Sequence, residues 1–408
     1  MPDGPAGGAR PLPAPPDPFA PARLGPLTLR NRLLKAATFE GRTPEGLVTD
    51  ELVAFHRDIA AGGAALTTVA YCAVAPEGRT ERRQIVMRPE AAPGLRELAR
   101  AVHGEGAAVA AQLGHAGPVA DARSNRAQAL SASRRLSPLS GRFARAATED
   151  DLARVVRGHA DAAELAAECG FDAVELHFGH TYLIGSFLSP RLNRRRDGWG
   201  GSLPARARLA REVAGAVRER VGDRIAVTAK LNMTDRVRGG LTPEDALRAA
   251  RLLERDGHLD ALELTAGSSL QNPMYLFHGP PPVAEFARAM PQPLRLGVRL
   301  FGRAFLRHYP YEDCYLLPLA RRFRAALGMP LVLLGGVTGN ESVARAMGEG
   351  FDFAAMGRAL LMEPGLVRRM ERQAREGGPA ARSACVHGNA CMPTIYTRTH
   401  CPLADLRR

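Results

Sequence analysis

The chain has 408 residues, 45% of them apolar, enough for one large barrel or two ordinary domains. No run of about 18 apolar residues occurs, which argues against a transmembrane helix. The formal net charge is +13, but the arginines are spread over polar helix faces and there is only one Trp, so a solvated basic surface is expected rather than a nucleic-acid interface.

Residues 1–23 are rich in Pro, Gly and Ala and lack the apolar core of a signal peptide. They are predicted to be a disordered tail, and the protein is expected in the cytoplasm. From there short apolar runs alternate with helical patterns. Strands are predicted at 33–37, 65–70, 107–113, 172–177, 225–231, 260–265, 330–334 and 352–356. Over 149–168 the residues Leu152, Val155, Val156, Ala160, Ala163 and Ala167 mark one helix face. Over 203–221 Leu209, Val213, Val217 and Val221 do the same. Strand–helix alternation repeated eight times predicts an α/β fold, a (β/α)8 TIM barrel over 24–380. Between strands six and seven, residues 266–311 are too long for an ordinary connection. They are predicted to be an ordered excursion over the barrel mouth. Residues 381–408 form a C-terminal extension holding Cys385, Cys391 and Cys401. The other cysteines, Cys72, Cys169 and Cys314, lie in or beside apolar segments and read as buried thiols. Six scattered cysteines do not make a disulfide framework.

In such barrels active sites lie at the C-terminal ends of the strands. Five predicted strand ends carry polar groups or glycines: Gln112, His177, Lys230, the pair Gly335–Gly336, and Gly357–Arg358. The densest is VELHFGHTYLIGSFLSP, with His177, His180 and Tyr182 just past a strand. One histidine beside a strand is usually a packed or surface residue. Three polar rings within six positions are harder to explain that way. Neutral imidazoles can donate to an oxyanion and a phenol can deliver a proton. That set suits reduction of an activated double bond. Near the last two strands, LLGGVTG and AAMGRALL each read as strand, glycine, then helix. Glycines let backbone N–H groups approach an anion, and Arg358 can bind phosphate bidentately.

These segments resemble the Old Yellow Enzyme family of FMN-dependent NAD(P)H:flavin oxidoreductases over roughly residues 24–380. The pieces that carry the likeness are LTLRNRLLKAA, AAGGAALTTVAYCAVAPEGR, AAQLGHAG, the long run from Gly170 to Val213, LLGGVTG and DFAAMGRALLMEP. The run from His177 to Arg208 is the most specific. The resemblance implies FMN as cofactor and NAD(P)H as hydride donor. It implies that Ala37, Thr38 and Tyr71 line the flavin and that Gln112 meets its pyrimidine edge. Lys230 stands where Arg is usual, near the flavin N1–C2 carbonyl. Gly335, Gly336, Gly357 and Arg358 would hold the phosphate. His177 and His180 would bind the substrate's electron-withdrawing oxygen, and Tyr182 would be the proton donor to its α-carbon. The implied activity is reduction of the C=C bond of an α,β-unsaturated carbonyl or similar alkene. The alternatives are a flavin dehydrogenase or demethylase working oxidatively, and a non-catalytic flavin-binding barrel. The expected partner is a small electrophile, with no nucleic acid and no membrane, and a homo-oligomer is compatible with the sequence.

The chain departs from the family in three places. KAATFEG lacks the usual proline, and Phe39 stands where Thr or Cys often tunes the flavin. Tyr71 replaces a residue that is usually small; with Phe39 it leaves the flavin potential open. Relatives similar to the N-terminal barrel of 2,4-dienoyl-CoA reductase carry an iron–sulfur motif after the barrel. Here CVHGNACMPTIYTRTHC has Gly388 where a cysteine is expected. Three thiolates are one short of a [4Fe–4S] set. Zinc held by them with His387 or His400 has acceptable ligand types but not a standard spacing. Free thiols are the simpler reading, and no metal is expected.

Overall fold

The computed structural model describes residues 15–137, 141–290, 292 and 294–405. Of the predicted tail, residues 1–14 lie outside the described residues. Phe19 already packs on the core, and a hairpin of β1 (Ala22–Leu24) and β2 (Leu27–Leu29) follows. It turns at Gly25, φ +55°, where a Cβ would fall 2.5 Å from the Asp260 carboxyl carbon. Only glycine fits there.

The barrel begins with β3 (Leu33–Lys35), helix α1 (Asp50–Ala61), β4 (Leu66–Ala73), α2 (Ala92–His103) and β5 (Ala108–Gly114). A three-stranded sheet, β6 (Leu130–Ser131), β7 (Arg135–Ser137) and β8 (Arg142–Ala146), then interrupts. Its strands are too short to leave a periodic pattern, and none was predicted. The barrel resumes with α3 (Glu149–Glu168), β9 (Ala173–Phe178), α4 (Leu183–Leu188), α5 (Leu203–Val221), β10 (Ala226–Asn232), α6 (Pro243–Asp256) and β11 (Ala261–Thr265). Next come α7 (Val283–Ala289), α8 (Leu294–Phe305), α9 (Leu317–Arg324), β12 (Leu331–Leu333), α10 (Asn340–Gly348), β13 (Phe353–Met356), α11 (Arg358–Met362) and α12 (Leu366–Glu376). The eight parallel strands close on themselves, β13 pairing with β3 and β5 with β9. Each predicted strand is present, with ends shifted by at most three residues. The helices over 149–168 and 203–221 have the predicted bounds. The first starts at a capping box: Thr148 Oγ1 accepts from Asp151 N–H, and Asp151 Oδ2 accepts from Thr148 N–H. Such a cap stabilises a helix by about 1 kcal/mol.

Side chains alternate along a strand, so every second residue faces the barrel axis. This sorts the interior into layers. Ala110, Ala173, Ala226 and Ala261 cluster with Leu24 and Leu29 of the hairpin and close the N-terminal end. Farther along come Gln112, Glu175, Lys230 and Glu263, all buried. His177, Asn232 and Thr265 form the uppermost layer, Asn232 pairing with Thr265 in register. The interior thus changes from apolar to charged to hydrogen-bonding toward the mouth that carries chemistry in this architecture.

The excursion between β11 and β12 carries α7 and α8, as expected of an ordered segment. It shares a small core, Met274, Phe286 and Leu306, with Met392 of the C-terminal extension. Among the described residues no helix is long and apolar enough to cross a membrane.

Candidate functional site

The site is built where β9 ends. His177 is on the strand, while His180 and Thr181 follow at φ +56° and +59°. Left-handed backbone is uncommon for such residues, and two in a row hold the chain in a sharp turn that needs support. That support is visible. His180 N–H donates to Asn232 Oδ1 at 3.0 Å, Ser269 N–H donates to His180 O at 3.1 Å, and Thr181 Oγ1 lies 2.7 Å from Ser268 Oγ. Tyr182 then caps α4.

The turn gathers three of the predicted residues. The His177 ring lies 5.0 Å from His180 and 4.5 Å from Tyr182, centroid to centroid. Tyr71, from β4, joins them at 5.5 Å from Tyr182 and 6.5 Å from His177. Gly114 makes room: a Cβ there would fall 3.2 Å from His177 Cβ and 3.4 Å from the Tyr71 ring. Gly179 N–H donates to His177 Nδ1 at 3.4 Å. A neutral ring that accepts at Nδ1 carries its hydrogen on Nε2 and can donate from there. His180 Nε2 lies 2.9 Å from Thr265 Oγ1, which fixes that ring's plane.

Burial decides the charge of all three. It drives the His177 pKa well below the ordinary value, helped by His180 and Lys230. His180 falls to about 3, from burial and then Lys230. Burial also pushes the Tyr182 phenol up. At neutral pH the cluster holds two neutral imidazoles and one protonated phenol. It can donate hydrogen bonds to developing negative charge and can supply a proton, without introducing charge of its own.

Below the rings, Lys230 Nζ donates to Glu175 Oε1 at 2.8 Å and lies 2.6 Å from Glu263 Oε1. Gln112 Nε2 donates to the same Glu175 oxygen at 2.6 Å. Burial alone would lower the Lys230 pKa, but the two carboxyls outweigh it and hold it above the ordinary value. Lys35, on the neighbouring side of the barrel, pairs with Glu40 at 2.7 Å. Ala37 packs beside Tyr71 and Tyr182.

The other predicted group lies over β12 and β13. Gly335 and Gly336 adopt φ +96° and +82°. A Cβ on Gly336 would fall 2.6 Å from Cys314 N, so close packing of the 312–316 segment also requires glycine. Gly357 stands beside Thr38, where a Cβ would be 3.6 Å from the Thr38 methyl. Arg358 donates to the carbonyls of Phe277 and His278 and to Asn389 Oδ1. All three acceptors are neutral, and the guanidinium also faces the Phe277 and Tyr311 rings at 5.9 and 5.8 Å. Neutral groups thus hold the fork in place and leave its charge for an anion. Nearby, Cys385 and Cys391 are half-buried, and Cys401 is buried with its Sγ 3.3 Å from Met362 Sδ. Among the described residues no three His, Cys, Asp or Glu side chains are gathered as metal ligands.

Residues 17–265 match the NADH:flavin oxidoreductase / NADH oxidase family. The chain belongs to that family. It is a flavin oxidoreductase of the Old Yellow Enzyme group, whose members use FMN and NAD(P)H. It is 51% identical over 387 residues to 4,4'-dithiodibutanoate disulfide reductase of Rhodococcus erythropolis, covering 95% of each chain. It spans about half the length of several other relatives, including a multifunctional alkene reductase/demethylase of Caballeronia cordobensis, 27% identical over 94% of this chain and 54% of that one. In fold it matches an Old Yellow Enzyme homologue of Zymomonas mobilis, with a TM-score of 0.71, 22% identity and coverage of 95% of this chain and 98% of that one.

Reading the sequence did not single out Glu175, Asn232, Glu263, Thr265 or Asn389. The first four share one signal: each lies two residues, or a multiple of two, from another inward-facing position on its own strand. Asn389 sits in an irregular segment and had no comparable signal.

Proposed function

We propose that this chain is an FMN-dependent reductase that uses NAD(P)H to reduce a small electrophile, with an electron-poor alkene as the acceptor the geometry supports best. The observation that carries this is the ring group His177–His180–Tyr182, with the second neutral imidazole 5.0 Å and the acid 4.5 Å from the His177 ring. FMN fits the residues present: Arg358, held by neutral groups, and two positive-φ glycines suit its phosphate, and Gln112 and Lys230 suit the polar edge of its ring. When bound, FMN supplies a site that accepts hydride from NAD(P)H and returns it to the acceptor. His177 Nε2–H and the His180 ring bind the acceptor's carbonyl or nitro oxygen and stabilise the negative charge that grows there. Tyr182 holds the proton that the α-carbon receives. Lys230 places a cation beside the ring edge.

A second reading, reduction of an organic disulfide, is favoured by the relative at 51% identity. The same groups serve it: the histidines stabilise the departing thiolate and Tyr182 protonates it. Anaerobic mixing tests both. The flavin should bleach with NADH or NADPH, then recolour on addition of cyclohexenone for the first reading, or of 4,4'-dithiodibutanoate for the second. Recolouring only with oxygen would exclude both acceptors.

A further inference from the structure

Lys230 is the only cation in direct contact with two buried carboxyls, Glu175 and Glu263, among the described residues. All three are at least 94% shielded from solvent. One ammonium cannot neutralise two carboxylates, so the group carries either a net negative charge or one extra proton. Burying an uncompensated charge is costly, so the group takes up a proton readily once a further negative charge arrives beside it.

The geometry says which carboxyl takes that proton. Glu175 Oε1 accepts from both Gln112 and Lys230, so its ionised form is well solvated by donors. Glu263 Oε1 is 2.6 Å from Lys230 Nζ but accepts no aligned hydrogen bond. The groups facing it are Lys230 on β10 and Glu175 on β9; its partner on β12 is Val332. Lys35, paired with Glu40, adds a balanced charge farther round the barrel. Burial, then the charge of Glu175, push the Glu263 carboxyl up to about 7, against the opposing pull of Lys230. Lys230 also pairs in register with both Glu263 and His177, which puts it on the strand between the carboxyl and the reactive rings.

We propose that Glu263 is a redox-linked proton carrier, acting through Lys230. It binds one proton from solvent as two electrons and a proton reach the cofactor as hydride from NAD(P)H, and releases it when hydride passes on to the acceptor. Each hydride transfer to the cofactor adds one negative charge beside Lys230. The proton bound at Glu263 cancels that charge, and the nicotinamide is the reductant throughout. Glu263 is thus a positioning residue, setting how much of the Lys230 charge faces the cofactor. The inference rests on the FMN reading above.

The test is the flavin midpoint potential of the FMN-loaded protein against pH. Wild type should show a steeper segment around pH 7, corresponding to one additional proton per two electrons, about 30 mV per pH unit. Glu263→Gln should lose that segment and be easier to reduce than wild type above it. Glu263→Asp keeps an ionisable group and should retain the segment, shifted in pH. Infrared difference spectra should show a protonated carboxyl appearing on reduction in wild type and not in Glu263→Gln. A wild-type profile without the segment, or an unchanged profile in Glu263→Gln, overturns the inference while leaving the FMN reading intact. A protein that takes up no FMN overturns both. Should Glu263→Gln not fold, the wild-type profile and its carboxyl band still decide.

Discussion

His180 and Thr265 are joined across the barrel mouth: His180 Nε2 lies 2.9 Å from Thr265 Oγ1, although 85 residues separate them. The contact couples the end of β11 to the turn after β9. It leaves His180 Nδ1 to meet a ligand and keeps the ring from rotating. Thr265→Val preserves shape and removes the hydroxyl. One net hydrogen bond is worth about 0.5–1.5 kcal/mol, so phenolate affinity should fall about 2- to 10-fold, with KM for the acceptor rising in step. FMN content should not change. An unaltered phenolate titration would mean that the left-handed backbone alone orients His180.

The buried histidines make a prediction about pH. His56, His115, His159 and His177 are buried and His180 is partly exposed; all five are held below the ordinary value, His115 and His159 at about 4. The unfolded chain binds protons at these sites below about pH 6.5 and the folded chain does not. Their contribution is complete above that pH and is lost as pH falls through it. Glu40, Asp235 and Glu263 are held above the ordinary carboxyl value and act in the opposite direction. His278 and His387 are also held low, so seven histidines stand against three carboxyls and leave a net loss of stability on acidification, at most about 1.4 kcal/mol per pH unit for each unbalanced group. Tm should therefore drop between pH 6.5 and 5. Phenol binding between pH 5.5 and 7.5 should show no histidine-type break, because His177 and His180 stay neutral. A break near pH 6.5 that persists in Glu263→Gln would mean that one of them is charged in the working protein.

The barrel was legible because its signal is periodic and repeated. Helix faces such as Leu209, Val213, Val217 and Val221 bury one stripe, and the strands are apolar runs bounded by glycine. His177, His180 and Tyr182 were legible because three rings lie within six residues of sequence. The charged layer beneath them was not. Lys230 stood out at a strand end, but its partners Glu175 and Glu263 come from two other strands, and each alone looks like a stray polar residue in a β-run. Only barrel closure brings them together, and that is long-range geometry with no local sequence mark. The β6–β8 sheet escaped for a related reason. Its strands are held by pairing with one another, and two to five residues cannot display an alternation.

Arg358 has two separable roles, and a pair of ligands tells them apart. It ties the Phe277–His278 carbonyls to Asn389, so it fastens the excursion to the C-terminal extension. It also offers charge for a phosphate. Arg358→Ala should weaken FMN binding roughly 10- to 100-fold, the range expected for a charge-assisted contact. Riboflavin lacks the phosphate, so its affinity should change far less. Equal losses for the two ligands would assign Arg358 to fastening alone. Arg358→Lys keeps the charge without the fork and should fall between, with Tm closer to that of Arg358→Ala.

Tyr182 decides whether the ring group is a catalyst or a packing arrangement. Its phenol is held protonated by burial, and its ring lies 4.5 Å from His177. Tyr182→Phe removes the hydroxyl and keeps the ring, so the packing with Tyr71 and His177 survives. General acid catalysis typically contributes about 10²- to 10⁴-fold, or roughly 3–5 kcal/mol of barrier. Flavin bleaching by NAD(P)H requires no proton from this residue and should stay close to the wild-type rate. Recolouring by cyclohexenone should slow by that factor. Recolouring by a quinone, which takes its protons on oxygen, should not. A disulfide acceptor should slow less than the enone, because a thiolate is a better leaving group than a carbanion and depends less on the acid. Equal slowing of every step would make Tyr182 structural. An unchanged enone step would mean that solvent or another residue supplies the proton.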